Sequence, residues 1–155
     1  MTTHTHTAEP RLDLGKAAPQ AYRALGTADQ AIRTSPLDPA LRELVKVRIS
    51  QINGCIFCID SHSHEALEVG VSMDRLLQLV AWRESALFSP AERAALAYAE
   101  AATVLTGDGV SDEIWAGVRE VLDDEQLGAL VVQVALMNAY NRIGVPLRMR
   151  ARARG

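Results

Sequence analysis

Cys55 and Cys58 form a C-x-x-C pair, and His62 follows the second cysteine by four residues, inside the stretch ELVKVRISQINGCIFCIDSHSHEALEVG that runs from Glu43 to Gly70. A helix turns by about 100° per residue, so with Cys55 at zero, Cys58 falls at about 300° and His62 at about 340°, all on one face. His64 falls at about 180° and points the other way. A thiol is a nucleophile only as thiolate, and a helix N-terminus stabilises that anion. Gly54 brings the chain in tightly just before the first cysteine. An imidazole one turn away takes the proton, and a carboxylate orients the imidazole. A second thiol three residues off condenses with an oxidised sulfur and resets it before over-oxidation. The spacing suits a redox cycle between dithiol and disulfide.

Plainer readings compete. As a zinc site, Cys55, Cys58 and His62 are one ligand short of a closed structural set, and the chain has no further cysteine. Free cysteines are also among the most buried residues, so an inert core pair is the second alternative. Glu43, from its residue type alone, is an ordinary helical glutamate. Glu65 falls at about 280° on the cysteine helix, yet it lies two turns from Cys58 and reads more simply as a surface charge.

The rest of the chain has to hold these groups in place. Its 155 residues suit one domain, and 48% hydrophobic against 23% charged residues is a globular balance that excludes a disordered chain. A net charge of −3 gives no basic footprint for nucleic acid. MTTHTHTAEP lacks the apolar run of a secretory signal, and the greasy stretch Leu127 to Met137 is too short for a membrane span and contains Gln133. The expected compartment is cytoplasmic, where thiols stay reduced.

Start and stop signals predict an all-α, single-domain chain of about seven helices. The first opens at Pro19 and reaches about Arg33; Asp38 and Pro39 start a second that ends at Asn53-Gly54. The third runs from about Cys55 to Gly70, and Ser72 caps a fourth from Met73 to about Glu84. Ser89-Pro90-Ala91-Glu92 is a capping box for the fifth, which ends before Thr106-Gly107. Ser111 starts the sixth. Asp123 and Gln126 start the seventh, which reaches about Arg142, is apolar nearly all round and is therefore buried. Residues 1–10, with Thr-His-Thr-His-Thr, read as a flexible tail, 11–147 as the helical domain, and 148–155, with Arg148, Arg150, Arg152 and Arg154, as a solvated basic tail.

Glu43, Ser50-Gln51-Ile52-Asn53-Gly54-Cys55, Cys58, His62, Ala66 and Gly70 resemble the core motif of the alkylhydroperoxidase AhpD-like proteins of the carboxymuconolactone decarboxylase superfamily. The likeness extends to Ala81 through Glu84, Ser89 through Glu100 and Asn138 through Arg142. It implies an AhpD-like helical fold, a homotrimer or homohexamer, and a peroxidase that requires no metal, flavin or haem. By the same resemblance Cys58 is the peroxidatic thiol, Cys55 the resolving one, and Glu43 and His62 the proton relay. The implied partners are a hydroperoxide substrate and an external dithiol, thioredoxin-like or dihydrolipoyl. Helix-dipole reasoning alone instead favours Cys55, nearer the N-terminus, as the reactive sulfur. One departure stands out: Phe57 occupies the place of a second histidine found in the better-characterised hydroperoxidases. A disulfide reductase serving another peroxidase, a lactone decarboxylase, and a non-catalytic helical assembly module are the other functions the motif leaves open.

Overall fold

In the computed structural model, residues 9–153 are described and form a single all-helical domain with no strand among them. The eight α-helices are α1 (Leu14–Ala17), α2 (Pro19–Arg33), α3 (Pro39–Asn53), α4 (Ile56–Glu68), α5 (Met73–Gln78), α6 (Pro90–Val104), α7 (Asp112–Val121) and α8 (Asp124–Gly144). Seven were expected; the addition is α1, a single turn capped by Asp13 and broken from α2 at Ala18. No helix among the described residues is long and apolar enough to cross a membrane. The Thr-His-Thr-His-Thr segment and Arg154 lie outside the described residues.

The caps are set where the sequence puts them. Asp38 accepts from Leu41 N at 2.8 Å with Pro39 in the first turn of α3, and both capping boxes, Ser89 with Glu92 and Asp123 with Gln126, close reciprocally. The fourth expected helix departs from plan. It stops at Gln78 and continues as a 3₁₀ turn over Leu79–Ala81 rather than reaching Glu84. The reason is tertiary: the Arg93 guanidinium of α6 donates to the carbonyls of Trp82, Arg83 and Ser85, offering them partners outside a helical ladder.

α3 is the hub. It packs on α4, α6 and α8, and Leu44, Val45, Val47 and Ile49 are buried. Its C-terminal end is tied to α8 by side-chain amides: Asn53 Nδ2 donates to Asn138 Oδ1 and Asn141 Oδ1, both at 2.9 Å, and Asn141 Nδ2 donates to Ser50 Oγ at 3.1 Å. α8 is less completely buried than its composition suggests, since Val132 is half-exposed. These three helices, α3, α4 and α8, enclose the sulfur atoms.

Candidate functional site

Gly54 ends α3 in the left-handed region (φ 70°), and this reverses the chain so that Cys55 becomes the N-cap of α4. Cys55 Sγ accepts the backbone N–H of Cys58 at 3.4 Å, and the two sulfurs are joined as a disulfide. Both cysteines are buried, but only Cys58 borders a cavity. Cys58 lines a cavity of about 160 Å³ together with Ser61, His62 and Glu65. Cys55 packs beneath α8, where a Cβ on Gly144 would come 2.8 Å from Cys55 Sγ and 3.7 Å from Cys58 Sγ. A Gly144→Ala substitution is therefore expected to force α8 off the sulfur pair and to cost about 1–3 kcal/mol by overpacking. Chemical denaturation checks this; an unchanged midpoint would mean that α8 does not seat on the disulfide.

The opposite wall is a chain of charges. Glu43, projecting inward from α3, is buried to 1% exposure. Its Oε1 lies 3.2 Å from both Lys46 Nζ and Arg42 Nε, and its Oε2 lies 3.3 Å from His62 Nδ1. Lys46, wholly buried, continues to Asp29 Oδ1 of α2 at 3.5 Å. Arg33 bridges Asp29 Oδ2 and Glu65 Oε2, each at 2.8 Å, and Glu65 Oε2 comes back to His62 Nδ1 at 3.4 Å. His62 Nδ1 thus sits within ion-pair reach of two carboxylates, off the axis of a well-formed hydrogen bond to either. Burial alone would lower the His62 pKa; the Glu43 and Glu65 carboxylates outweigh it, and the net shift is upward. Burial likewise pushes Glu43 up, but His62 and Lys46 win and hold its carboxyl below the ordinary value. His62 also holds Glu65 down, to about 2, with help from Arg33 and against the upward push of burial.

The structure brings Glu43, Cys55, Cys58 and His62 together, and directs His64 elsewhere, to the Asp60 carbonyl at 2.8 Å. Glu65 departs from the surface reading, because Arg33 draws it in against His62. Its helical angle was the available sign; its partner on α2 was not visible in the motif. Missed altogether were Asp29, Arg33 and Lys46, and the aromatic wall of Tyr22 and Tyr140, whose rings meet edge-on at 6.5 Å. The C-terminal segment, largely exposed, does not hang free of the site. Met149 and Arg152 line the cavity, Arg152 N donates to Asp60 Oδ2 at 3.3 Å, and its guanidinium carbon lies 5.9 Å from the Phe57 ring centre.

Glu43, His62 and Glu65 present ligand atoms within 4.8 Å of one another, the spacing of a cation site. Lys46, Arg42 and Arg33 already neutralise the two carboxylates, so a dication would be repelled by three fixed cations. The donor set fits a proton relay better than a metal.

Residues 17–101 match the model of the carboxymuconolactone decarboxylase family. The uncharacterized protein YdfG of Bacillus subtilis is 36% identical over 141 residues, which cover 91% of this chain and 96% of that protein. Among solved structures, ATU0492 of Agrobacterium tumefaciens, a protein of unknown function named for the antioxidant defence protein AhpD, superposes with a TM-score of 0.90. It is 31% identical, with 94% of this chain and 100% of that one covered. The debrominase Bmp8 shares the fold at a TM-score of 0.79 and 23% identity, over 90% of this chain and 75% of its own.

Proposed function

The chain belongs to the carboxymuconolactone decarboxylase family, and from that membership we propose that it is a thiol-dependent peroxidase cycling Cys55 and Cys58 between dithiol and disulfide. The observation that carries this reading is the division of the two sulfurs: Cys58 faces the cavity beside His62, whereas Cys55 lies behind it under Gly144. This supports Cys58 as the sulfur that an incoming peroxide meets first and Cys55 as the resolving one.

In the reduced protein His62 takes the Cys58 proton, and the thiolate attacks the terminal oxygen of RO–OH. The O–O bond breaks, Cys58 becomes sulfenic acid, and the alkoxide leaves with the proton held on His62 as alcohol. Cys55 then attacks the Cys58 sulfur, closing the disulfide and releasing water. An external dithiol, thioredoxin-like or dihydrolipoyl, supplies two electrons and two protons to restore both thiols. Glu43 acts through His62 by fixing its ring and supporting the imidazolium. The cavity is walled by Tyr22, Tyr140, Met137 and Ile143 and is larger than hydrogen peroxide requires, which favours an organic hydroperoxide.

Rapid mixing of reduced protein with cumene hydroperoxide tests the reading. The expected result is loss of two thiols per peroxide at a rate far above that of free cysteine. A rate no better than free cysteine rejects it, and fast reduction of a partner's disulfide in the same preparation would make the chain an electron adaptor instead. Activity on a lactone acid that survives replacement of both cysteines would establish a decarboxylase. Assembly into a trimer or hexamer belongs to the same proposal, with Met73, Leu77 and Val80 forming an exposed apolar strip on α5 and the turn after it.

A further inference from the structure

We propose that Glu65 is a positioning residue of this site, the second of two carboxylates that clamp His62 Nδ1 and leave Nε2 as the nitrogen that serves Cys58. The inference deepens the peroxidase reading and rests on it for the role of Nε2. The geometry carries the clamp itself. Glu43 Oε2 approaches Nδ1 from α3 at 3.3 Å and Glu65 Oε2 from α4 at 3.4 Å, so one edge of the ring is flanked by two carboxylates within ion-pair reach. Nε2 lies on the opposite edge of an imidazole, and His62 and Cys58 border the same cavity one helical turn apart.

A single carboxylate suffices to select the tautomer of a relay histidine. Two carboxylates do more, because together they favour the imidazolium over the neutral ring. Glu65 is not free to swing away, since Arg33 Nη2 grips its Oε2 at 2.8 Å, and Arg33 is itself anchored on Asp29. Among the described residues the charged and titratable groups around His62 are Glu43, Lys46 and Arg42 from α3, Glu65 from α4, Asp29, Arg33 and Tyr22 from α2, Tyr140 from α8, and Arg152 at the cavity mouth. On Glu43 the cations of α3 take Oε1 and leave Oε2 to the ring, whereas on Glu65 the single oxygen Oε2 serves both Arg33 and His62. The functional consequence concerns the leaving alkoxide. A histidine that keeps its proton to higher pH delivers that proton over a wider range, so the reaction's alkaline limb moves up with it.

The test is an NMR titration of the histidine rings in the oxidised protein, which needs no peroxide. His62→Gln assigns the His62 resonances, and exposed His64 serves as the internal control. In Glu65→Gln the His62 midpoint is expected to fall by about one pH unit while His64 stays in place. Glu65→Asp, which keeps the charge on a shorter arm, is expected to restore part of the difference. A His62 midpoint unchanged by Glu65→Gln, or one that moves together with His64, overturns the proposal. The alkaline limb of cumene hydroperoxide-driven thiol oxidation is expected to fall with the His62 midpoint; a limb that stays put while the ring shifts also overturns the role assigned to Nε2. If the ring shifts in a protein that does not react with peroxide, the peroxidase reading fails and the clamp stands.

Discussion

Cys58→Ser is expected to abolish peroxide-driven oxidation, lowering the rate by about 100-fold or more, whereas Cys55→Ser is expected to carry out the first step and stop there. The two variants differ because the sulfurs differ in access. Cys58 borders the cavity, and Cys55 is enclosed by α8 at Gly144. Without Cys55 the sulfenic acid on Cys58 has no neighbouring thiol and persists long enough for a 1,3-diketone to add to it, which mass spectrometry of the Cys58 peptide reads directly. The opposite pattern, an inert Cys55→Ser and a reactive Cys58→Ser, would reverse the roles. That reversal is a real physical alternative, since Cys55 occupies the N-cap of α4 and its sulfur receives a backbone N–H there. Access and helix electrostatics point to different atoms, and the pair of variants decides which prevails.

Glu43→Leu is expected to produce the largest loss of stability, about 3–5 kcal/mol, because it strands the buried Lys46 ammonium and Arg42 guanidinium. Lys46 Nζ would keep only Asp29 at 3.5 Å. In a domain of this size the loss amounts to a fall in melting temperature on the order of 10 °C. The double variant Glu43→Leu/Lys46→Met is expected to recover part of that loss, since it removes the stranded charge along with its partner. Equal melting temperatures for the single variant and the parent protein would show that the Glu43 cluster is not needed for the fold. Peroxide reactivity is expected to stay low in both variants, because His62 loses the carboxylate on α3 in each.

Much of this architecture could be read from local chemistry. Proline, serine and aspartate set the starts of α2, α3 and α6 through α8, and Gly54 sets the reversal that makes Cys55 a cap. The shared face of Cys58 and His62 follows from helical rotation alone, while Cys55 joins them as the cap, outside the helix. What could not be read depends on contacts between distant segments. Lys46 looks like any helical lysine until Asp29 arrives from α2 to share it, and Glu65 looks like a surface charge until Arg33 reaches across. Gly144 is one small residue in a long helix, and only the arrival of Cys55 beneath it reveals that a methyl group there would collide. The shortened α5 has a nearer origin, since Arg93 on the next helix, 8 to 11 residues on, collects the carbonyls that a longer α5 would have used.

The path of the last residues has a practical consequence. Arg11 N donates to the Leu147 carbonyl at 3.0 Å, Met149 N to the Gly144 carbonyl at 2.9 Å, and Arg152 reaches Asp60 on the cysteine-bearing helix. An affinity tag or reporter fused at the carboxyl end would pull on a strap that borders the cavity, and the segment at Glu9 and Arg11 is tied to that same strap through Arg150 and the Leu147 carbonyl. Kinetic comparisons among variants are best made with the carboxyl end left as it is.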